Sequence, residues 1–255
     1  MGRRGYDVQD ERWFSFQERE KLRQANRDIT WLIDYGYKFD ASITFVSNRF
    51  LFSNRQREAL KRCICPTFQL KERKRKELPL NEMKGCCVHI DGFNLIITLE
   101  VALSGGTLVL GNDGHIRDLA GLRGSYRLIE QTEIALQFIA TCLIQYEVSH
   151  VIFYLDTPVS NSQRLKAQIL TIMKSFGLSV EVELLPNADV DLMQKEHVVS
   201  SDAVILDTCR SYFNVAYSII HEWIETANII DFTMEEVVTH DGLCDKLLCS
   251  NARTS

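Results

Sequence analysis

The sequence predicts an α/β fold: a three-layer α/β/α sandwich with a mainly parallel sheet, preceded by a small, mostly helical N-terminal domain. Two observations lead there. From residue 86 onward, short apolar runs alternate with stretches of helical length, the pattern of parallel strands joined by crossover helices. Charge also divides the chain. Residues 1–80 hold 18 Lys and Arg against 11 Asp and Glu, while residues 81–255 hold 11 against 23. A basic arm thus precedes an acidic body. The predicted organisation is a basic helical domain and linker over 1–80, an α/β domain over 81–240 and a tail over 241–255.

In the basic part, Leu22, Ala25, Ile29, Leu32 and Ile33 fall at helical spacing within Gln17 to Ile33, and Gly36 suits the end of that helix. Ser53 or Asn54 caps a second helix, Arg55 to Cys63, closed by Pro66. The run Lys71 to Lys76, followed by Pro79, reads as a solvated linker or as a phosphate-contacting patch. The body then begins. Cys86 to Ile90 is a buried strand ending in Asp91, with a helix over Leu95 to Leu103 and a short strand over Thr107 to Leu110. A helix is expected over Ser125 to Tyr146, a strand over Val151 to Leu155 and a helix over Ser162 to Phe176. Val180 to Leu185 alternates as a half-exposed strand, Asp189 to Glu196 is a short helix, Val198-Val199 a strand stub and Tyr212 to Thr226 a last helix.

With 255 residues, 45% hydrophobic, and only 13 Gly and 4 Pro, the composition excludes collagen-like, low-complexity and wholly disordered chains. The apolar stretches are too short or too interrupted to span a bilayer, and Met1 to Asp10 lacks the apolar segment of a secretory signal. A cytoplasmic protein without membrane attachment is therefore expected. Eight Cys fit buried thiols in a reducing compartment. Cys63 with Cys65 and Cys86 with Cys87 could make a four-thiolate zinc site, but neither pair has the spacer such sites use.

The chemistry is expected outside the carboxyl ends of the strands, where loops and helix N-termini converge. Acids stand at those ends: Asp91, Asp156, Asp189 with Asp191, and Asp202. Each alone reads equally as a helix cap or turn residue. Four strand ends delivering carboxylates to one rim instead suit a hard divalent cation, Mg2+ or Mn2+. Around them, Ser160, Asn161 and Ser162 precede a helix carrying Arg164 in its first turn, which suits a phosphate or merely caps the helix. Arg117, Arg123 and Arg127 lie in a glycine-containing loop, where they either meet a polyanion or form loop salt bridges. His115 in that loop is a candidate general base or an idle exposed residue. The aromatics among the basic residues, including Trp31, Tyr35 and Tyr37, serve as helical core or as stacking surfaces for unpaired bases.

Ile90-Asp-Gly-Phe-Asn94, Tyr154-Leu-Asp156, Ala188-Asp-Val-Asp-Leu192 and Ser200-Ser-Asp-Ala-Val-Ile-Leu-Asp207 are similar to the ordered motifs of PIN-like nucleases, particularly the NYN branch. The stretches Asp91 to Gly106, Asp113 to Leu119, Tyr126-Arg127 and Asp156 to Arg164 resemble an uncharacterised prokaryotic family with a PIN-like C-terminal domain. Its basic N-terminal box is matched by Asp34 to Tyr37, Val46 to Phe50 and Arg55 to Arg57. The resemblance implies Asp91, Asp156, Asp191 and Asp202 as catalytic acids. It implies Asp91, Asp202 and either Asp189 or Asp191 as ligands of Mg2+ or Mn2+. Asn94 shapes the site or binds substrate, with Arg117, Arg127, Ser160, Asn161, Ser162 and Arg164. The chain departs from the branch at one place: Val204 stands where a second acid follows the Ser-x-Asp element.

The function expected is metal-dependent cleavage of RNA or single-stranded DNA, RNA being preferred as partner. The alternative is a non-catalytic nucleic-acid or nucleotide-binding module with a degraded site. A phosphatase with an aspartyl nucleophile would want Asp at position 93, where Phe93 stands.

Overall fold

Strand β1 (Cys87–Asp91) alternates Val88 and Ile90 toward one side with Cys87, His89 and Asp91 toward the other. In the computed structural model, which describes residues 3–121 and 124–232, it lies inside a four-stranded sheet. Its neighbours are β4 (His150–Asp156) and β6 (Val198–Val199), and β5 (Val180–Leu185) lies outside β4, giving the order β5-β4-β1-β6. All three pairings are parallel. One face carries Val88, Ile90, Val151, Phe153, Leu155 and Val182 into the main core. There they meet α6 (Gly92–Leu103), α7 (Glu130–Gln145), α8 (Ser162–Ser175) and α11 (Val215–Trp223). The opposite face presents Ile152 and Tyr154 to the short helices α9 (Ala188–Leu192) and α10 (Ala203–Thr208). The predicted α/β class, its parallel sheet and its flanking helices are thus present.

Among the described residues, five α-helices precede the sheet: α1 (Asp10–Trp13), α2 (Phe16–Asp34), α3 (Phe39–Phe50), α4 (Asn54–Cys63) and α5 (Thr67–Lys76). A capping box starts α4, with the Gln56 N–H donating to the Ser53 hydroxyl and the Ser53 N–H donating back to Gln56 Oε1. A second small sheet of order β3-β2-β7 joins β2 (Thr107–Leu110), β3 (Ile116–Asp118) and β7 (Asn228–Asp231). The N-terminal helices bury Leu22, Ile29, Ile43, Val46 and Leu60 against Val109, Ile230 and Phe232 of this sheet and its end. Among the described residues no helix is long and apolar enough to cross a membrane.

Four local expectations are corrected. The stretch that reads as a solvated linker from Lys71 is helical as far as Lys76, and its Arg73 is buried. Helix α3 has no counterpart among the expected elements. The helix expected from Ser125 starts only at Glu130, because Tyr126 is fastened to Ser160 and Asn161. Helix α6 begins at Gly92 rather than Leu95, directly after the strand. A Cβ at Gly92 would stand 2.6 Å from Leu155 Cδ2 and 3.1 Å from the Tyr154 carbonyl oxygen. Glycine therefore lets the helix start against β4 without a detour. The expected tail over 241–255 and Arg123 lie outside the described residues.

Candidate functional site

Strand order reverses between β1 and β6, since the chain first builds outward through β4 and β5 and then returns beside β1. The crevice at such a point is where ligands bind in open α/β sheets. Asp91 ends β1 there, and Ser200-Ser201-Asp202 follows β6.

Asp91 is 7% exposed. Its Oδ1 accepts the Asn94 N–H at 3.3 Å, capping α6, and its Oδ2 accepts the Ser200 hydroxyl at 2.8 Å. Burial pushes its carboxyl up to about 7, and the charges of Asp189 and Asp202 push the same way, against the two hydrogen bonds. Burial, then Asp202 and Asp156, likewise raise Asp189 above its ordinary value. These four carboxylates therefore share one field. Asp156 Oδ1 also accepts the Ala188 N–H at 2.9 Å, seating α9 beside β4. Asp202 caps α10, its Oδ1 accepting from Val204 and Ile205 at 2.8 and 3.2 Å. Asp191 is exposed and adds its charge to the environment of Tyr154 rather than to that of Asp91. Of the two candidates on α9, it is Asp189 that enters the cluster. Among the described residues, no three His, Cys, Asp or Glu side chains are gathered as a metal-binding group.

Asn94 joins the two sides of the crevice. Its Oδ1 accepts both the Ser201 N–H at 2.8 Å and the Ser201 hydroxyl at 2.9 Å. Beside it lies a pocket of roughly 110 Å3 lined by Lys61, Arg62, Asn94, Ser201, Asp202 and neighbours. Lys61 and Arg62 come from the last turn of α4, so the helical arm supplies part of the cationic wall of a pocket in which Asp202 is the acid. The sequence patterns do not single out these two among the arm's many cations. Both directly precede Cys63, whose thiol donates to the Leu110 carbonyl at 3.4 Å and locks that turn against β2.

Arg117 lines the same pocket, with its guanidinium tied into the fold. Its guanidinium is buried and donates twice to Asp113, at 2.8 and 2.6 Å, and once to the Ser201 carbonyl at 2.7 Å. Arg73 donates to the same Asp113, to Asp207 at 2.7 Å and to the Ala203 carbonyl at 3.2 Å. Burial alone would raise Asp113, but Arg117, then His115 and Arg73, hold it below the ordinary carboxylate range. Two buried arginines on one carboxylate thus clamp the Ser201-to-Ala203 backbone that carries Asp202. The salt bridge expected of Arg117 is present, with Asp113 as partner. His115 is also no exposed base: burial lowers it to about 4, leaving it neutral beside the Tyr212 ring, 5.2 Å away.

The remaining predicted contacts lie at another part of the rim. The Ser160 hydroxyl accepts the Tyr126 N–H at 3.0 Å, and Asn161 Nδ2 donates to the Tyr126 carbonyl at 2.6 Å. Both therefore hold the 124–127 loop instead of capping α8. Ser162 is buried, while Arg127 and Arg164 are exposed. The cysteine readings resolve toward thiols. Cys63 and Cys65 are buried, which pushes them up to about 12 and about 11, and Cys86 and Cys87 are partly buried free thiols.

Residues 80–218 match the family described as "Domain of unknown function (DUF5616)", and residues 21–76 match "Protein of unknown function (DUF434)". The chain is also 36% identical over 185 residues to "Uncharacterized protein MJ0935" of Methanocaldococcus jannaschii, covering 72% of this chain and 88% of that protein. No solved structure matches the chain. The crevice acids and the clamp's Asp113 and Arg117 fall inside the first matched segment, and Arg73 with the cationic wall inside the second. The chain belongs to the uncharacterised family defined by the DUF5616 domain, here preceded by a DUF434 segment.

Proposed function

We propose that this protein is a Mg2+- or Mn2+-dependent nuclease of PIN-like, NYN-branch character, cleaving phosphodiester bonds of RNA or single-stranded DNA. The observation that carries the reading is Asp91. It is a buried carboxyl raised to about 7 by burial and by Asp189 and Asp202, at the reversal point of a parallel sheet. An acid kept in so unfavourable a place, beside other acids, suits a site that takes up a cation. The donor set consists of hard carboxylate oxygens and fits an ion held by Asp91 and Asp202, with water and phosphate completing its shell, as Mg2+ commonly is. It does not form a complete protein cage.

Such an ion supplies Lewis acidity toward a phosphodiester and its attacking water. The chain's own residues do the rest. Ser200 and the Asn94 N–H orient the Asp91 carboxylate. Asn94, through Ser201, and the Arg117–Asp113–Arg73 clamp hold the loop of Asp202 at a fixed distance from β1. Lys61 and Arg62 face the same pocket and offset the charge of a phosphate that the acids alone would repel.

A second reading, a binding module without catalysis, is favoured by Val204, which is 55% exposed where the NYN branch has another acid. One experiment separates the two: calorimetric Mn2+ binding to wild type and to Asp91→Asn/Asp202→Asn, with labelled single-stranded RNA and DNA incubated in the same samples. Metal-dependent cleavage that disappears in the double variant supports the nuclease. Folded wild type that binds no Mn2+ and cleaves nothing overturns it in favour of the binding module.

A further inference from the structure

We infer that the outer face of the helical arm is a single-strand track, on which unpaired bases stack on Trp31, Tyr35 and Phe68 while α5 leads the backbone to the crevice. The inference rests on the nuclease reading for its destination, although the track itself is argued from the arm alone.

Aromatic rings ordinarily go inward, and the arm's Phe14 and Phe52 do so. Trp31, Tyr35 and Phe68 do not: they are 58%, 71% and 63% exposed. Among the described residues, seven of the nine exposed Phe, Tyr and Trp side chains lie before residue 70. Trp31 in the last turn of α2 and Tyr35 just past its end are stacked with ring centroids 4.6 Å apart. Trp31 also lines a groove of about 490 Å3 with Phe45, Arg27 and Arg49, between α2 and α3. Phe68 follows Thr67, whose N–H donates at 2.9 Å to Asp34, the residue before Tyr35. This pair ties the end of α2 to the start of α5.

From there α5 is a bridge of ten residues, about 15 Å long at the helical rise. Its far end is fixed at the crevice, where Arg73 donates to the Ala203 carbonyl and Lys76 to the Leu206 carbonyl at 2.6 Å. Between these anchors Lys71, Lys74 and Arg75 are exposed. Residues 54–76 contain nine Lys and Arg against two Glu. The two Glu form exposed ion pairs, Glu58 with Lys61 and Glu72 with Arg75, which a phosphate can displace at little cost. Exposed rings, then a cationic helix, then a pocket that Arg73 and Asp202 line stand in order along the arm. Stacking platforms joined to a positive groove are how unpaired strands are held without sequence preference. An acidic protein surface would satisfy the cations but offers planar groups only where it exposes its own aromatics, whereas every nucleotide of an unpaired strand carries one.

The test is fluorescence anisotropy of a labelled 16-mer oligouridylate and of a 16-base-pair RNA duplex, across a salt series. Wild type is compared with Trp31→Ala/Tyr35→Ala/Phe68→Ala, Trp31→Phe and Lys71→Ala/Lys74→Ala. Circular dichroism confirms folding. Hydrolysis of bis(p-nitrophenyl) phosphate with Mn2+ reports the crevice separately. The triple variant is expected to bind the single strand about 10-fold or more weakly with an unchanged salt slope. Trp31→Phe keeps most of the affinity. The lysine pair is expected to lower the log-log salt slope by about 0.7 for each phosphate left without its lysine. Equal binding by wild type and the folded triple variant, or equal binding of duplex and single strand, overturns the track even if the small ester is hydrolysed. Absence of oligonucleotide binding by wild type overturns it too. Aromatic-dependent RNA binding without hydrolysis of either substrate would keep the track and remove the nuclease reading.

Discussion

Replacing Asp91 by Asn should stabilise the metal-free protein at neutral pH. In the folded chain the carboxyl is raised from its ordinary 3.8 to about 7. Between those values the native state binds more protons than the unfolded chain, so stability is full below pH 4 and is lost as pH rises toward 7. At about 1.4 kcal/mol per unit of displacement, the ionised group costs about 4 kcal/mol at pH 8 as an upper figure. Asn has the same shape. Its Oδ1 can accept the Asn94 N–H, and its Nδ2 can donate to Ser200 Oγ, which at present donates to Asp91 Oδ2 and accepts the Asp202 N–H at 3.0 Å. The substitution therefore removes the charge and keeps the bonds. In urea titrations with chelator present, Asp91→Asn should gain about 2–4 kcal/mol at pH 8 and close to nothing at pH 3.5, with the same slope against denaturant. Excess Mn2+ at 100 times its Kd should add about 2.7 kcal/mol to wild type and leave the variant unmoved. A variant less stable than wild type at pH 8, or a gain equal at both pH values, would refute the account of Asp91 as an ionised group held at a loss.

Three further outcomes test the surrounding structure. Asp113→Asn leaves Arg73 and Arg117 buried without their shared anion and should cost about 3–5 kcal/mol by urea unfolding. Adding Arg117→Met should recover part of that loss, and an effect under about 1 kcal/mol would show the clamp to be idle. Val204→Asp places a carboxylate at an exposed position in the first turn of α10, so stability should change by no more than about 0.5 kcal/mol. If the NYN resemblance identifies the right position, calorimetry should then show Mn2+ bound roughly tenfold more tightly, worth about 1.4 kcal/mol, and unchanged affinity counts against it. Burial pushes Cys63 and Cys142 up to about 12, so brief alkylation of native protein at pH 8 should spare both while labelling the partly exposed Cys86. Mass spectrometry showing Cys63 labelled before Cys86 would contradict the packing of α4 on β2.

The class of fold and the strand-end acids are legible in the sequence because both follow from local pattern. A run such as Val151 to Leu155 is apolar whichever partners it meets, and the chain must leave such a strand through a polar residue such as Asp156. Helix α5 is hidden for an equally local reason. Its run of Lys and Arg looks solvated throughout, yet one position in it, Arg73, turns inward to Asp113 and Asp207. Periodicity cannot reveal that when every residue from Lys71 to Lys76 is charged. The second sheet is hidden as well, since β2 pairs with β7 some 120 residues later. Composition and spacing thus determine that this protein is an α/β domain with carboxylates at its strand ends and a basic helical arm. Tertiary structure alone decides that Asp189 rather than Asp191 joins Asp91, that Arg117 clamps a loop, and that Lys61 and Arg62 wall the crevice. Those groups meet across separations of up to about 140 residues, where strand order and burial, not local pattern, set both distance and charge.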